Sequence, residues 1–238
     1  MTSSTADSVA TLLEAVRQRI AESEREYARV PGSVQLLAVS KTHGADKLMA
    51  AYDAGQRHFA ENYVQEALNK MQSLPTDITW HFIGPIQSNK TRELAEHFAW
   101  VHTVDRDKIA RRLNDQRPPG TAPLNVLIQV NVSGEASKSG ISLGELPALA
   151  DLVSTLPHLK LCGLMAIPAP APDFTTQRIA FHLLALALAD LQARGHTECR
   201  ELSMGMSQDC AAAIAEGATL VRIGTDVFGK RGQTTFSP

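Results

Sequence analysis

Eight short apolar or β-branched runs punctuate this chain, and longer stretches with helical periodicity fill the intervals between them. The runs are Val34–Ser40, His58–Glu61, Thr79–Ile83, Trp100–Thr103, Asn125–Asn131, Leu159–Met165, Glu198–Ser203 and Thr219–Ile223. Between them, Ala45–Ala54, Val64–Gln72, Lys90–His97, Asp105–Asn114, Leu143–Ser154, Phe174–Ala193 and Ser207–Glu216 read as helices. Asp105, Ser142 and Ser207 stand where helix starts want capping side chains, and Gly55, Gly195 and Gly217 stand where helices end. Such alternation argues for parallel β-α-β units, and strands apolar on both faces, such as Leu124-Asn125-Val126-Leu127-Ile128, suit a buried parallel sheet. Eight units in 238 residues fit a single closed (β/α)8 (TIM) barrel of the α/β class. An open doubly wound sheet would carry G-x-G-x-x-G after its first strand, whereas this first strand runs into Ser40-Lys41-Thr42. An extra helix over Ser8–Tyr27, with Val9, Leu12, Leu13, Val16 and Ile20 on one face, precedes the barrel. The expected organisation is therefore residues 1–32 as a packed N-terminal helix and 33–238 as the barrel.

Charge and composition narrow the function classes. The formal net charge is −2, with 23 basic and 25 acidic residues intermixed, so the basic footprint of a nucleic-acid binder is missing. The start of the chain is polar and lacks a signal-peptide core, and the longest apolar run, Leu183–Ala189, is too short to cross a bilayer. Cys162, Cys199 and Cys210 form no metal-binding spacing and read as reduced thiols. These features point to a cytoplasmic protein that binds neither nucleic acid nor membrane.

In a parallel barrel, chemistry collects where the strands end. Lys41 leaves the buried run Leu36–Ser40 at that rim, where desolvation favours a neutral, nucleophilic amine able to form a Schiff base; a rim salt bridge is the plainer reading. After strands seven and eight, Leu202-Ser203-Met204-Gly205-Met206-Ser207 and Arg222-Ile223-Gly224-Thr225 place glycine turns, hydroxyls and helix starts together. That combination suits a phosphate dianion held across the mouth from Lys41, although Gly205 and Gly224 also fit ordinary turns. A Schiff-base lysine with a phosphate cradle fits pyridoxal phosphate.

The segments Ala38–Thr42, Glu61–Glu66, His81–Gly84 with Gln87–Lys90, Gly163–Ile167, Leu202–Ser207 and Arg222–Thr225 closely resemble the pyridoxal phosphate homeostasis protein family, a relative of the N-terminal barrel of alanine racemases. The matches occur in order from Ala38 to Gly229. The resemblance implies that Lys41 carries pyridoxal 5'-phosphate as an internal aldimine. It implies that Ser203, Gly224 and Thr225 hold the phosphate, that Arg222 faces the pyridine nitrogen, and that Asn62 and Met165 line the ring. It assigns a second rim lysine to Lys138. His43-Gly44 departs from the family pattern, so a lysine role at that position is not carried over, and Ala60 stands in place of a glycine.

These assignments describe a carrier or buffer of the cofactor in intracellular vitamin B6 homeostasis, without substantial catalysis. An arginine at the pyridine nitrogen disfavours the pyridinium that carbanion chemistry exploits. The C-terminal β domain that supplies a second base in alanine racemases has no counterpart in the sequence, which also points to a monomer. Apo-forms of pyridoxal phosphate enzymes are the expected recipients. The alternative is a small pyridoxal phosphate-dependent amino-acid racemase using Tyr63 or His81 as second base. A cofactor-free Schiff-base aldolase gripping a sugar phosphate with Ser203 and Thr225 is a third reading. No histidine pair has metal-ligand spacing, and His158, His182 and His196 read as structural. Trp80 and Trp100 are expected between barrel and helices, Lys90 at an anion site or in a salt bridge, and Arg111-Arg112 and Lys230-Arg231 on solvated faces. Pro168–Pro172 should form a stiff loop, and Phe174–Ala193 either a fully buried helix or a self-association face.

Overall fold

A computed structural model describes residues 3–134 and 139–229, with side chains from residue 8 onward. Lys138 and the Lys230-Arg231 pair lie outside the described residues. Eight parallel strands close a barrel in chain order: β1 (Gln35–Val39), β2 (His58–Glu61), β3 (Thr79–Phe82), β4 (Trp100–Val104), β5 (Leu124–Gln129), β6 (Leu159–Met165), β7 (Glu201–Ser203) and β8 (Leu220–Ile223). Closure comes from β8 pairing with β1 in the register Leu37↔Arg222 and Ala38↔Ile223. The helices are α1 (Ser3–Glu26), α2 (Ala45–Asp53), α3 (Val64–Met71), α4 (Thr91–His97), α5 (Asp107–Gln116), α6 (Leu146–Ser154), α7 (Phe174–Ala193), α8 (Cys210–Ala215) and α9 (Thr225–Phe228), with a 3-10 turn at Ser88–Lys90.

Alternation along the strands divides the core into two. Outward residues such as Leu36, Phe59, Trp80, Phe82, Val126, Ile128 and Val221 pack beneath the helices. Inward residues, among them Leu37, Val39, Ala60, Ile83, Leu127, Met165 and Leu220, fill the barrel. Trp80 meets the expectation, lying 6.0 Å from Phe59. Trp100 does not: it shares the inward parity of β4 and stacks on His81 at 5.5 Å with an interplanar angle of 15°.

The N-terminal helix buries Val9, Leu13, Val16 and Ile20 against the outer layer. Arg17 donates to the Ala54 carbonyl, Arg19 pairs with Asp226, and the buried Glu24 carboxylate accepts from the amides of Gly32 and Val34 just before β1. Three helices begin later than their capping-type residues suggest: α5 at Asp107, α6 at Leu146 and α8 at Cys210. Ser142 bonds the Glu145 carboxylate through both its amide and its hydroxyl, and α6 starts after that turn. Asp209 accepts from the Met206 amide ahead of α8, and α5 starts after Arg106 with no side-chain cap. Asp173, by contrast, caps α7 through the Thr176 amide. That helix is not fully buried: Phe181, Leu184, Leu188 and Leu191 face the barrel, whereas Ile179, Leu183 and Leu186 are exposed.

Candidate functional site

The strand ends open into a cavity of about 350 Å³. Its walls include Val39 and Lys41 from the end of β1, Asn62 after β2, Ile83 after β3, Met206–Asp209 after β7, and Arg222, Gly224 and Thr225 at the end of β8. Pro168, Pro170 and Ala171 form a further wall, so the proline-rich loop after β6 borders the site. Gln177 of α7 steadies that loop by donating to the Ala171 carbonyl.

Lys41 sits on a backbone clamped from both sides. The peptide before it is held by Lys70, whose ammonium donates to the Ser40 carbonyl at 2.8 Å. The peptide after it is held by Glu66, which accepts from the Thr42 amide at 2.5 Å. Thr42 is held at φ 65°, a left-handed conformation that a β-branched residue rarely adopts. The same Lys70 bridges the Glu61 and Glu66 carboxylates at 2.7 Å each, and Glu61 also accepts from the Ser40 hydroxyl. Burial raises the Glu61 carboxyl above the usual range, while the bonds from Lys70 and Ser40 pull it back. Sequence reasoning placed Glu61 at the rim but missed Glu66 and Lys70; their i,i+4 spacing on α3 was the available signal.

Arg222 is fully inside the barrel, one face toward the cavity. Its Nη1 donates to the Ser203 hydroxyl at 2.8 Å and its Nη2 to the Ala166 carbonyl at 2.9 Å. Burial lowers its pKa to about 10, still cationic at neutral pH, and Asp209 on the cavity wall helps retain the charge. Burial also raises the Asp209 carboxyl, against the Met206 amide bond and the Arg222 charge.

Asn62 brings an unspent acceptor. Its Oδ1 is buried and has no hydrogen-bond partner among the described residues, although the residue lines the cavity. The Asn62 backbone is fixed by Gly84: a Cβ there would lie 2.1 Å from the Asn62 carbonyl oxygen. Gly224 is similarly crowded, since its Cβ would approach the Val39 carbonyl oxygen at 3.0 Å, so the bare backbone lets β8 end against β1.

The structure thus brings Lys41, Asn62, Arg222, Gly224 and Thr225 to one cavity and leaves Ser203 and Met165 beneath it. Ser203 is fully buried with its hydroxyl between Arg222 and His102, and Met165 belongs to the inner barrel cluster. The strand-eight loop adjoins Lys41 rather than facing it across the mouth, because closure makes β8 the neighbour of β1, and the strand-seven loop lines the same cavity one strand further round. Tyr63 is exposed, and His81 is buried between two other histidines; neither lines the cavity. Lys90 pairs with Glu93 at 3.1 Å, and His43 packs against Phe228. Burial pushes the thiols of Cys162, Cys199 and Cys210 up to about 12, 11 and 12. Among the described residues no His, Cys, Asp or Glu cluster could hold a metal ion, and no helix is long and apolar enough to cross a membrane.

The alanine racemase N-terminal domain model matches residues 12–232. A protein of Pseudomonas aeruginosa named pyridoxal phosphate homeostasis protein is 56% identical over 224 residues, covering 94% of this chain and 96% of that one. A Vibrio alginolyticus protein of the same name is 54% identical over 224 residues, covering 92% and 96%. Among solved structures, PipY of Synechococcus elongatus PCC7942 with PLP bound superimposes with a TM-score of 0.81 at 38% identity, covering 93% of this chain and 100% of that one.

Proposed function

The chain belongs to the pyridoxal phosphate homeostasis protein family, and on that premise we propose that it binds pyridoxal 5'-phosphate and serves vitamin B6 homeostasis as a carrier or buffer. The carrying observation is the meeting of Lys41, Arg222 and the unspent Asn62 acceptor on one cavity. When bound, the cofactor supplies an aldehyde that condenses reversibly with amines and an electron-withdrawing pyridine ring. Lys41 offers the amine, on a backbone fixed by Lys70 and Glu66. Asn62 offers an acceptor for a hydroxyl, and Gly224 and Thr225 form the wall on which a phosphate would rest. Ser203 acts through Arg222 and Met165 supports the floor. To a ring nitrogen placed beside it, Arg222 would offer only donors and a lasting positive charge, which would disfavour protonation there and keep the ring a weak electron sink.

The family likeness supports the same reading, as does the absence of Tyr63 and His81 from the cavity walls, which withdraws both named candidates for a racemase base. A cytoplasmic setting, with apo-enzymes receiving the cofactor, follows from the carrier role. Purified protein mixed with pyridoxal 5'-phosphate should develop a visible absorbance that borohydride fixes as added mass on the peptide containing Lys41. Lys41→Ala should lose both signals. Solvent deuterium should not enter the α-carbon of amino acids at an enzyme's rate; steady exchange would overturn the carrier reading in favour of a racemase.

A further inference from the structure

A file of neutral side chains crosses the barrel interior and ends on Arg222. His58 Nδ1 lies 3.0 Å from His81 Nε2, His81 Nδ1 lies 3.0 Å from His102 Nε2, and His102 Nδ1 lies 2.9 Å from the Ser203 hydroxyl. Arg222 Nη1 completes the series at that same hydroxyl. The three histidines come from consecutive strands at inward positions, and the step from His102 on β4 to Ser203 on β7 crosses the barrel. Nothing in the family assignment or in the cavity requires this file.

Its direction follows from one residue. A guanidinium has five donors and no acceptor, so Ser203 must accept from Arg222. Among the described residues the Ser203 hydroxyl meets only Arg222 and His102, so its own hydrogen goes to His102 Nδ1. His102 then carries its proton on Nε2 and gives it to His81 Nδ1. His81 in turn donates from Nε2 to His58 Nδ1. The opposite polarity would strand the Ser203 hydrogen in a dry interior, where an unmade hydrogen bond is costly. Burial disfavours the charged form of the rings: His102 falls to about 3, helped by the Arg222 charge, and His81 falls well below the usual imidazole value. Burial lowers His58 as well.

We propose that His102, backed by His81 and His58, is a positioning residue that orients Arg222 toward the ring nitrogen of the bound cofactor through Ser203, as one unidirectional hydrogen-bond relay. The role toward the cofactor rests on the function proposed above; the direction of the relay does not. Because Arg222 cannot pass a proton on, the relay sets orientation and does not deliver protons to the ring.

Two measurements test it. In cofactor-free protein labelled with 15N-histidine, long-range 1H–15N spectra should show His58, His81 and His102 neutral with the proton on Nε2. A proton on Nδ1 of His81 or His102, or a charged ring at neutral pH, overturns the relay. In protein loaded with pyridoxal 5'-phosphate labelled at its ring nitrogen, His102→Leu should shift that nitrogen's 15N signal. His102→Gln should keep the wild-type signal, because its amide oxygen accepts from Ser203 while its NH2 donates onward. Identical signals in all three proteins, or equal shifts in both variants, overturn the positioning role. Should His102→Leu not fold, Ser203→Ala breaks the same link with the smallest change of volume. Wild-type protein that takes up no cofactor while showing the predicted tautomers would sink the cofactor-binding function and leave the relay's direction standing.

Discussion

Two buried polar networks meet at β2 and solve opposite problems. Outward from that strand, Glu61 joins Lys70 and Glu66 in a charged knot that grips the peptides on either side of Lys41. Inward, His58 begins a neutral file that ends on Arg222. Charges withdrawn from water need compensating partners, so the knot is intolerant of losing a member but can hold backbone firmly. Uncharged rings cost less to bury and carry direction instead of charge, since each nitrogen's role is set by its neighbour. One network fixes where an amine stands; the other fixes how a cation points.

The knot should break hardest. Lys70→Met leaves the Glu61 carboxylate buried without its cation, and urea unfolding should register a loss of about 3–5 kcal/mol. A double change, Glu61→Leu with Lys70→Met, should recover much of it; a double variant as unstable as the single one would mean the knot's charges are not what matters.

The histidine file should show itself through pH. His81 and His102 have folded values below the unfolded value near 6.5, so the unfolded chain binds more protons as pH falls below that point. Stability should hold above pH 7 and then decline with acidification. The slope should approach 1.4 kcal/mol per pH unit for each ring, roughly, in melts from pH 7.5 to 4.5. His81→Gln should flatten that slope. Glu61 titrates in the opposite sense. Its raised folded value makes the folded chain bind the extra proton between the two values, so acidification through that window should favour folding slightly.

The smallest effect belongs to the strained residue that the charged knot holds, Thr42. Thr42→Gly removes the left-handed penalty of a β-branched residue, about 1–2 kcal/mol, and adds unfolded-state entropy, about 0.4–1 kcal/mol. A net gain below about 1.5 kcal/mol in chemical denaturation is expected, together with weaker uptake of pyridoxal 5'-phosphate if Thr42 helps aim Lys41. Unchanged uptake would assign the aiming to Lys70 and Glu66 alone.

Much of the barrel could be read from the chain because its signals are local. The bounds of β2, β6 and α7 coincide with the periodicity, which depends on alternating burial and on the Asp173 cap. The starts of α6 and α8 did not coincide: Ser142 spends its side chain on a turn, and Asp209 rather than Ser207 stands at the start of α8. At the site, Lys41, Asn62, Arg222, Gly224 and Thr225 were legible from strand ends and from family likeness. The Lys70–Glu66 spacing on α3 was visible, but their hold on the Ser40 and Thr42 peptides and the whole histidine file were not, because those partners are distant in sequence.

By itself, the order of residues determined the alternation of strand and helix, the rim position of each strand end and the family. Folding alone decided which side chains of the closed barrel meet, setting Gly224 and Thr225 on the same cavity as Lys41 and Ser203 between Arg222 and His102. Periodicity records which face of a strand is buried, but only the closed, staggered cylinder specifies which inward side chains from separate strands come within hydrogen-bonding reach.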